Sequence, residues 1–270
     1  MQQFNSDTLK QLYVPEPDSH KGQNGKMLLI GGSKLFHAAS LWPLMVASRM
    51  VDMVFYSSVP ENNELVTSAK AEFRNGIVVP REKLDSYIKE VDVILIGPGL
   101  PRKDGQEEGD PDTKELTERL LTKYPEKKWV IDGGSLQTMD PEILLGLKQM
   151  PILTPHHGEF ETLFGSRNIE EVAKKYSCVI LLKGPVDTVA SPTECISIPG
   201  GNAGMTKGGT GDVLAGLVAS LYCKNDAFLS ATAASYINKK AGESLEKHVG
   251  LNFNASDLAS GIPVIMKNLC

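Results

Sequence analysis

The chain has 270 residues, of which 41% are hydrophobic and 23% are charged. This balance is typical of a globular protein with a sizeable core and argues against a disordered chain. The 28 Lys and Arg residues are outnumbered by 33 Asp and Glu residues, giving a formal charge of −5. With no long basic block, this charge argues against a nucleic-acid partner. No run of about 18 apolar residues suggests a membrane span, so no membrane partner is expected.

The cysteines and the N-terminus indicate the compartment. The four cysteines lie far apart and form no C-x-x-C pair: Cys178, Cys195, Cys223 and Cys270. The first residues, MQQFNSDTLKQLY, lack the apolar stretch of a secretory signal. We therefore expect a protein of the reducing cytoplasm.

Short apolar runs alternate with helical segments through most of the chain. The runs predicted as buried strands are residues 27–30, 54–56, 91–96, 129–131, 152–153 and 179–182. The segments predicted as helices are residues 38–50, 113–123, 141–148 and 168–175. After Val189, two short β-like pieces flank Pro192-Thr193, and helices dominate from Asp212 onward. The alternation predicts one three-layer α/β/α domain over residues 1–270, with a mostly parallel central sheet.

Glycine turns follow the early strands. Residues 31–33 (GGS) end the first strand, and residues 97–100 (GPGL) end the third. Taken singly, each is also an ordinary tight turn, and Arg102 stands where a dinucleotide fingerprint needs its last glycine. Their recurrence indicates a ligand site at the carboxyl edge of the sheet. The polar, breaker-rich residues 101–111 are predicted to form an exposed excursion.

Polar residues follow the later strands. Asp132 is a candidate to contact substrate or hydrated magnesium, or to cap the next helix. Lys183 places a cation at the same edge, or is simply solvated. His156, in the segment TPHHGEF, is a candidate for substrate contact or helix capping. His157 and Glu159 raise the alternative of a zinc site, but no H-E-x-x-H pattern or cysteine pair supports it.

A glycine-rich segment is the strongest local signal. Six glycines occur among the 12 residues 200–211, directly before Asp212 and an apolar helix. Glycines allow backbone amides close to an anion, and the start of the helix directs unpaired N–H groups at it. Lys207 precedes the last three glycines, so the segment is not a Walker A loop. Asp212 is either a helix-dipole partner or a base that deprotonates a hydroxyl attacking a phosphoryl group.

Five segments together resemble a known family. The most specific are GMTKGGTGDVLAG (residues 204–216) and TPHHGEF (residues 154–160), and GKMLLIGGS, ILIGPGL and LLKG stand in the expected order. Over about residues 22–262, the chain resembles the ADP- or ATP-dependent NAD(P)H-hydrate dehydratases of the ribokinase-like superfamily. It departs from the family pattern in Ala38-Ala39, in Pro101 and at Asp132-Gly133-Gly134, where a second Asp is missing.

The resemblance implies roles for individual residues. Asp212 would deprotonate the 6-hydroxyl of the S-epimer of NADH hydrate or NADPH hydrate, with Ala39, Gly99 and His156 also lining that substrate. ADP or ATP would donate its terminal phosphoryl group, with Mg²⁺ on the phosphates and no protein metal ligand predicted. The residues implied to bind the nucleotide are Lys183, Gly184, Pro185, Val186, Asp187, Asn202, Ala203, Gly204, Met205, Thr206, Lys207, Gly208, Gly209, Thr210 and Gly211.

The resemblance also bears on assembly and leaves alternatives open. It implies a homo-oligomer, such as a tetramer. About 25 residues precede the first strand, so no fused epimerase domain is expected, and both hydrate epimers would be processed only with a separate epimerase or spontaneous epimerisation. One alternative is a small-molecule kinase of the same superfamily, such as a hydroxyethylthiazole kinase. Another is a nucleotide sensor that has the fold but no turnover. The presence of Asp212, the candidate base, is evidence against this alternative.

Overall fold

The computed structural model describes residues 2–69, 76–102, 105–108, 110 and 112–269. The strands form one sheet in the order β1-β10-β9-β8-β7-β6-β5-β2-β3-β4. They are β1 (Gln2–Gln3), β2 (Lys26–Ile30), β3 (Met53–Ser57), β4 (Gly76–Val78), β5 (Val93–Ile96), β6 (Lys128–Ile131), β7 (Ile152–Leu153), β8 (Val179–Leu182), β9 (Asp187–Ala190) and β10 (Cys195–Ile198).

The sheet is mostly parallel. β9 runs antiparallel to both of its neighbours, and the other described strand pairs are parallel. Central strands such as β5, with the sequence VILI, are buried on both faces, which is why they are continuously apolar. The predicted strands are confirmed, although the third begins at Val93 rather than at residue 91.

Helices cover both faces of the sheet, which confirms the predicted three layers. One face carries α1, α8, α9 and α10, and the other carries α3 to α7. The helices are α1 (His37–Ala47), α2 (Pro60–Ser68), α3 (Leu84–Ile88), α4 (Thr113–Lys123), α5 (Gly133–Thr138), α6 (His157–Phe164), α7 (Ile169–Tyr176), α8 (Thr210–Tyr222), α9 (Ala227–Val249) and α10 (Ala255–Leu269). Among the described helices, none is both long and apolar enough to cross a bilayer.

Some local predictions were wrong. The helix predicted over residues 141–148 is a short 3₁₀ helix, Pro141–Gly146. Its continuation is prevented because Leu147 is extended and Lys148 donates its N–H to the carbonyl of Pro125 (2.8 Å). The prediction also missed the short strands β1 and β4 and the helices α2, α3, α5 and α6. Of these, α2 has the sequence PENNELVTS, which shows little apolar periodicity. Of the excursion predicted over residues 101–111, residues 103, 104, 109 and 111 lie outside the described residues.

Close backbone contacts bring the strand-end turns together. A Cβ atom on Gly31 would lie 2.4 Å from the carbonyl oxygen of Pro98. One on Gly97, where φ is 120°, would lie 1.7 Å from the carbonyl oxygen of Asp132. No side chain fits at these positions, so glycine is required there. The carboxyl ends of β2, β5 and β6 consequently meet at a single edge, as the recurrence of glycine turns predicted.

Candidate active site

The glycine-rich segment forms a braced loop that leads into α8. Asn202 accepts a bond from Gly204 N–H (2.9 Å), and Thr210 Oγ1 donates to the Met205 carbonyl (2.6 Å). Gly209 has a φ of 94° and lies against the ring of Trp42, where a Cβ would approach to 2.4 Å. These contacts hold the start of α8 in place. The first N–H groups of a helix lack partners within the helix, so they are available to an anion.

A cavity of about 640 Å³ opens beside this loop. Its volume is in the range of small-molecule sites. It is lined by His156, Lys183, Gly184, Pro185, Asp187, Gly200, Gly201, Asn202, Ala203, Met205, Thr206, Thr210, Gly211, Leu214, Asn238 and Lys239. Ten of the residues predicted to bind nucleotide therefore line the cavity wall, together with His156.

Five residues predicted to bind nucleotide are not part of this wall. Lys207 donates its Nζ to the Leu251 carbonyl and lies over the ring of Phe253. Gly204 packs against the same ring, whereas Gly209 packs against Trp42. The two others, Val186 and Gly208, are exposed. Lys207, Gly204 and Gly209 shape the loop rather than face the cavity.

Asp132 and Lys183 form a buried ion pair at the carboxyl edge. Asp132 Oδ1 accepts bonds from Lys183 Nζ (2.9 Å) and Thr154 Oγ1 (2.8 Å). Asp132 stands at the first turn of α5, but its side chain makes no capping bond. The alternatives of a capping Asp132 and a solvated Lys183 were therefore wrong. Burial opposes the charge on Lys183, but the negative charges of Asp132 and Glu159 hold the pKa of Lys183 above its ordinary value.

Asp212 is electrostatically coupled to this pair. Burial is the largest influence on its carboxyl group and, together with the charge of Asp132, raises the pKa of Asp212 to about 8. Lys183 acts in the opposite direction, and Glu159 adds a smaller increase. A carboxyl group with a pKa near the working pH is suited to take a proton from a substrate.

His156 connects the carboxylate cluster to the cavity. Its Nδ1 accepts a bond from Glu159 N–H (3.1 Å), and Glu159 accepts a bond from His156 N–H (2.9 Å). This capping box begins α6, so the capping alternative is confirmed. The backbone of His156 also pairs with Lys183. No group of three or more His, Cys, Asp or Glu side chains with metal-binding geometry occurs within the part of the chain that the structure describes.

The predicted substrate residues Ala39 and Gly99 are neighbours. A Cβ on Gly99 would lie 2.9 Å from the Ala39 Cβ and 2.6 Å from the Phe36 carbonyl oxygen. Gly99 has a φ of 69°, which favours glycine for conformational reasons as well. The start of α1 and the turn after β5 thus form one continuous surface at the carboxyl edge.

Sequence reasoning missed a buried lysine on the cavity wall. Lys239 Nζ donates to the carbonyl groups of Gly184, Pro185 and Gly200, each at 3.2 Å, and lies 3.3 Å from Asp187 Oδ1. Lys239 therefore connects α9 by hydrogen bonds to two loops that line the cavity, one containing Gly184 and Pro185 and the other containing Gly200. The available signal was the polar pair formed by Ser235 and Lys239, four residues apart in an alanine-rich helix.

Comparisons with known proteins add a family resemblance to this geometry. A family model described as NAD(P)H-hydrate dehydratase matches residues 27–264. The chain is 35% identical to a bifunctional NAD(P)H-hydrate repair enzyme of Archaeoglobus fulgidus, over 93% of this chain and 53% of that protein. It is 34% identical to an ADP-dependent (S)-NAD(P)H-hydrate dehydratase of Nitrosopumilus maritimus, over 92% of this chain and 91% of that protein. The chain spans about half the length of the bifunctional relative.

A solved structure supports the fold. The ADP/ATP-dependent NAD(P)H-hydrate dehydratase of Bacillus subtilis, co-crystallized with ATP and Mg²⁺, matches with a TM-score of 0.81 at 23% identity. The match covers 100% of this chain and 99% of that chain. The predicted ribokinase-like architecture, a mostly parallel sheet between two helical layers, is confirmed.

Proposed function

The chain belongs to the NAD(P)H-hydrate dehydratase family, and we propose that it uses ADP or ATP to convert the S-epimer of NADH hydrate or NADPH hydrate back to the reduced cofactor. One observation carries the proposal. Asp212, whose pKa is raised to about 8, directly follows Gly211 on the wall of the cavity and is coupled to the Asp132–Lys183 pair at the sheet edge. It is thus a proton acceptor beside a site suited to phosphate.

The nucleotide would bind in the 640 Å³ cavity with its phosphates toward the start of α8. Gly211 supports this orientation, because the absence of a side chain leaves its backbone open to an anion. A Cβ on Gly211 would lie only 3.3 Å from Lys183 Nζ, so this cation lies beside the same space. The positive end of the α8 dipole and the ammonium charge of Lys183 together favour binding of the terminal phosphoryl group at this position.

In the proposed reaction, Asp212 takes the proton of the substrate 6-hydroxyl while the oxygen attacks the terminal phosphorus. The bond from that phosphorus to the bridging oxygen of the nucleotide breaks, leaving AMP from ADP or ADP from ATP. The C6–O bond of the phosphate ester then breaks, phosphate leaves, and C5 loses a proton. The ring double bond between C5 and C6 is restored, so the net change is loss of water coupled to nucleotide hydrolysis.

Magnesium fits this site as a companion of the nucleotide. Mg²⁺ in such sites is held largely by phosphates and water, with one or two protein carboxylates. The carboxylates near the phosphate end are Asp132, which is occupied by Lys183 and Thr154, and Asp212. Asp132 would therefore contact the ion through water at most. When bound, Mg²⁺ would neutralise charge on the phosphates.

The hydrated nicotinamide ring would bind against Ala39, Gly99 and His156, within reach of Asp212. The close packing of Gly99 on Ala39 supports this, because it forms a surface with few side chains at the sheet edge.

The single sheet supports one domain across the described residues. The described cysteines, all unpaired, are compatible with a role in the cytoplasm. A homo-oligomer, such as a tetramer, stays a prediction.

A repair assay tests the proposal. The purified chain would be mixed with separated epimers of NADH hydrate and NADPH hydrate and with ADP or ATP plus Mg²⁺. The expected result is nucleotide-dependent return of reduced-nicotinamide absorbance from the S-epimer, with one phosphate released per ring repaired. No return with either nucleotide would contradict the proposal. Phosphate transfer to hydroxyethylthiazole without cofactor repair would instead favour the kinase alternative.

A further inference from the structure

The ammonium group of Lys239 lies among four oxygen atoms, called here the oxygen cage. Its Nζ is 3.2 Å from each of the carbonyl oxygens of Gly184, Pro185 and Gly200, and 3.3 Å from Asp187 Oδ1. All four distances exceed the roughly 2.7–2.9 Å that is typical of a charge-assisted hydrogen bond. The cation therefore lies at nearly equal distances from four oxygens instead of being directed at one of them.

The oxygen cage is buried and carries one negative charge. Lys239 and Asp187 are each 5% exposed. The Asp187 carboxylate is fixed in place, because its Oδ1 accepts a bond from Gly184 N–H (2.9 Å) and its Oδ2 accepts one from Ser235 Oγ (2.7 Å). A buried carboxylate beside three carbonyl dipoles is strongly destabilising without a cation. The cage therefore requires a positive charge at its centre.

The four oxygens come from two separate loops of the cavity wall. Gly184, Pro185 and Asp187 lie between β8 and β9, whereas Gly200 follows β10 and begins the glycine-rich segment. Lys239 reaches both loops from α9. A single cation thus fixes the distance between two loops that are far apart along the chain.

This arrangement corresponds to the coordination of a free monovalent cation. Backbone carbonyl oxygens that converge on one point replace the hydration shell of K⁺ in ion channels. The lysine side chain ends in a compact ammonium charge, chemically an ammonium ion on a flexible stem. Because the stem attaches this cation to α9, the cage stays occupied whatever the concentration of free ions.

We propose that Lys239 acts as a built-in monovalent cation that holds the two loops of the cavity together, so that nucleotide binding needs no potassium or ammonium ion from solution. The effect on nucleotide binding rests on the proposed function of the cavity. The role of the cation in holding the loops does not, because it depends only on the contacts of Lys239.

The test is to remove the attached cation and supply a free one. In Lys239→Ala, the shortened side chain leaves room for an ion in the oxygen cage. In choline chloride, whose cation is too large for the cage, we expect the ADP affinity to fall by about tenfold and the melting temperature by several degrees. KCl or NH₄Cl at the same ionic strength should restore most of both losses. If the variant is unfolded in choline chloride, its refolding in KCl or NH₄Cl, followed by circular dichroism, measures the same recovery.

Two control variants separate the charge from the packing of the side chain. Lys239→Met keeps most of the stem, which fills the space of the ion, so it should lose ADP affinity and stability without recovery in any salt. Lys247→Ala removes an exposed lysine near the end of α9. It should behave like the native chain, with the same ADP affinity and melting temperature in all three salts.

Three results would overturn the proposal. Equal losses for Lys239→Ala in all three salts, or a failure to fold in any of them, would show that Lys239 serves only in packing. An ADP affinity of the native chain that rises with K⁺ would show that a separate ion is needed. Recovery of the melting temperature of Lys239→Ala by K⁺, in a protein that does not bind ADP, would instead support the role of the cation and contradict the proposed function.

Discussion

Lys183 Nζ lies 2.9 Å from Asp132 Oδ1, and the two groups have opposite effects on the pKa of Asp212. The negative charge of Asp132 raises the pKa of Asp212, whereas the positive charge of Lys183 lowers it. The pair therefore influences the pKa of the proposed base without needing to contact the reacting hydroxyl.

Replacing the proposed base should abolish chemistry and spare binding. Asp212→Asn removes the proton acceptor while keeping the size of the side chain, so we expect the turnover number to fall by roughly 100-fold or more. Nucleotide affinity should change little, because the cavity wall is formed by its neighbours. Stopped or continuous repair assays, with ADP binding measured in parallel, provide the test. Unchanged turnover would remove Asp212 from the mechanism.

Activity of the free enzyme should increase with pH. Because the pKa of Asp212 is about 8, its carboxyl group is largely protonated at neutral pH and unable to accept a proton. We expect kcat/KM to rise by about tenfold per pH unit below this value and to level off above it. Asp132→Asn removes the neighbouring negative charge and should move the midpoint to lower pH. A flat profile in both proteins would contradict this assignment.

The same residue should limit stability. The pKa of Asp212 is raised in the folded protein from 3.8 to about 8, so the folded state holds a proton that the unfolded chain releases between these values. Stability should thus fall as pH rises through this window. Asp212→Asn should raise the free energy of unfolding at pH 7 by about 2 kcal/mol or more, and the melting temperature by several degrees. A melting temperature below that of the native chain would contradict this.

Removing the buried lysine should destabilise the cavity. Lys239→Met leaves the Asp187 carboxylate and three carbonyl groups without their donor, so we expect a loss of about 3–5 kcal/mol in unfolding free energy. Lys240→Met provides a matched control on the same helix, because Lys240 pairs with Glu243 at a partly exposed position. Its effect should stay below about 1 kcal/mol in denaturant unfolding. Similar losses in the two variants would refute a special role for Lys239.

A single methyl group should separate nucleotide binding from folding. Gly211→Ala places a Cβ in the proposed phosphate space, 3.3 Å from Lys183 Nζ, while alanine is well suited to the helical backbone. We expect nucleotide affinity to fall by about tenfold with no loss of stability. Gly261→Ala, also within a helix but outside the cavity, adds the same methyl group where no atom lies within 4 Å and should leave affinity unchanged. Calorimetric titration with ADP would measure both, and equal affinities in the two variants would argue against phosphate at Gly211.

Much of the architecture follows from local pattern. The continuous apolar runs predicted the central strands, because strands buried on both faces must be apolar throughout. The 3₁₀ helix at Pro141–Gly146 and the polar helix α2 were not predicted correctly, because composition and periodicity carry little information about such short or polar segments. For the site, the glycine-rich loop and Asp212 stood out because an anion hole needs consecutive small residues before a helix.

The sequence by itself determined the central strands, their alternation with helices, and the glycine loop that precedes Asp212. Only the tertiary structure decided the partners: Asp132 meets Lys183 across 51 positions of chain, and Lys239 meets Gly184 across 55. The physical reason is that helix and strand geometry repeats over a few residues, so neighbouring residues in the chain determine it. Burial and electrostatic coupling depend instead on atoms from distant parts of the chain, which meet at the carboxyl edge of the sheet only in the folded protein. The raised pKa of Asp212 arises there.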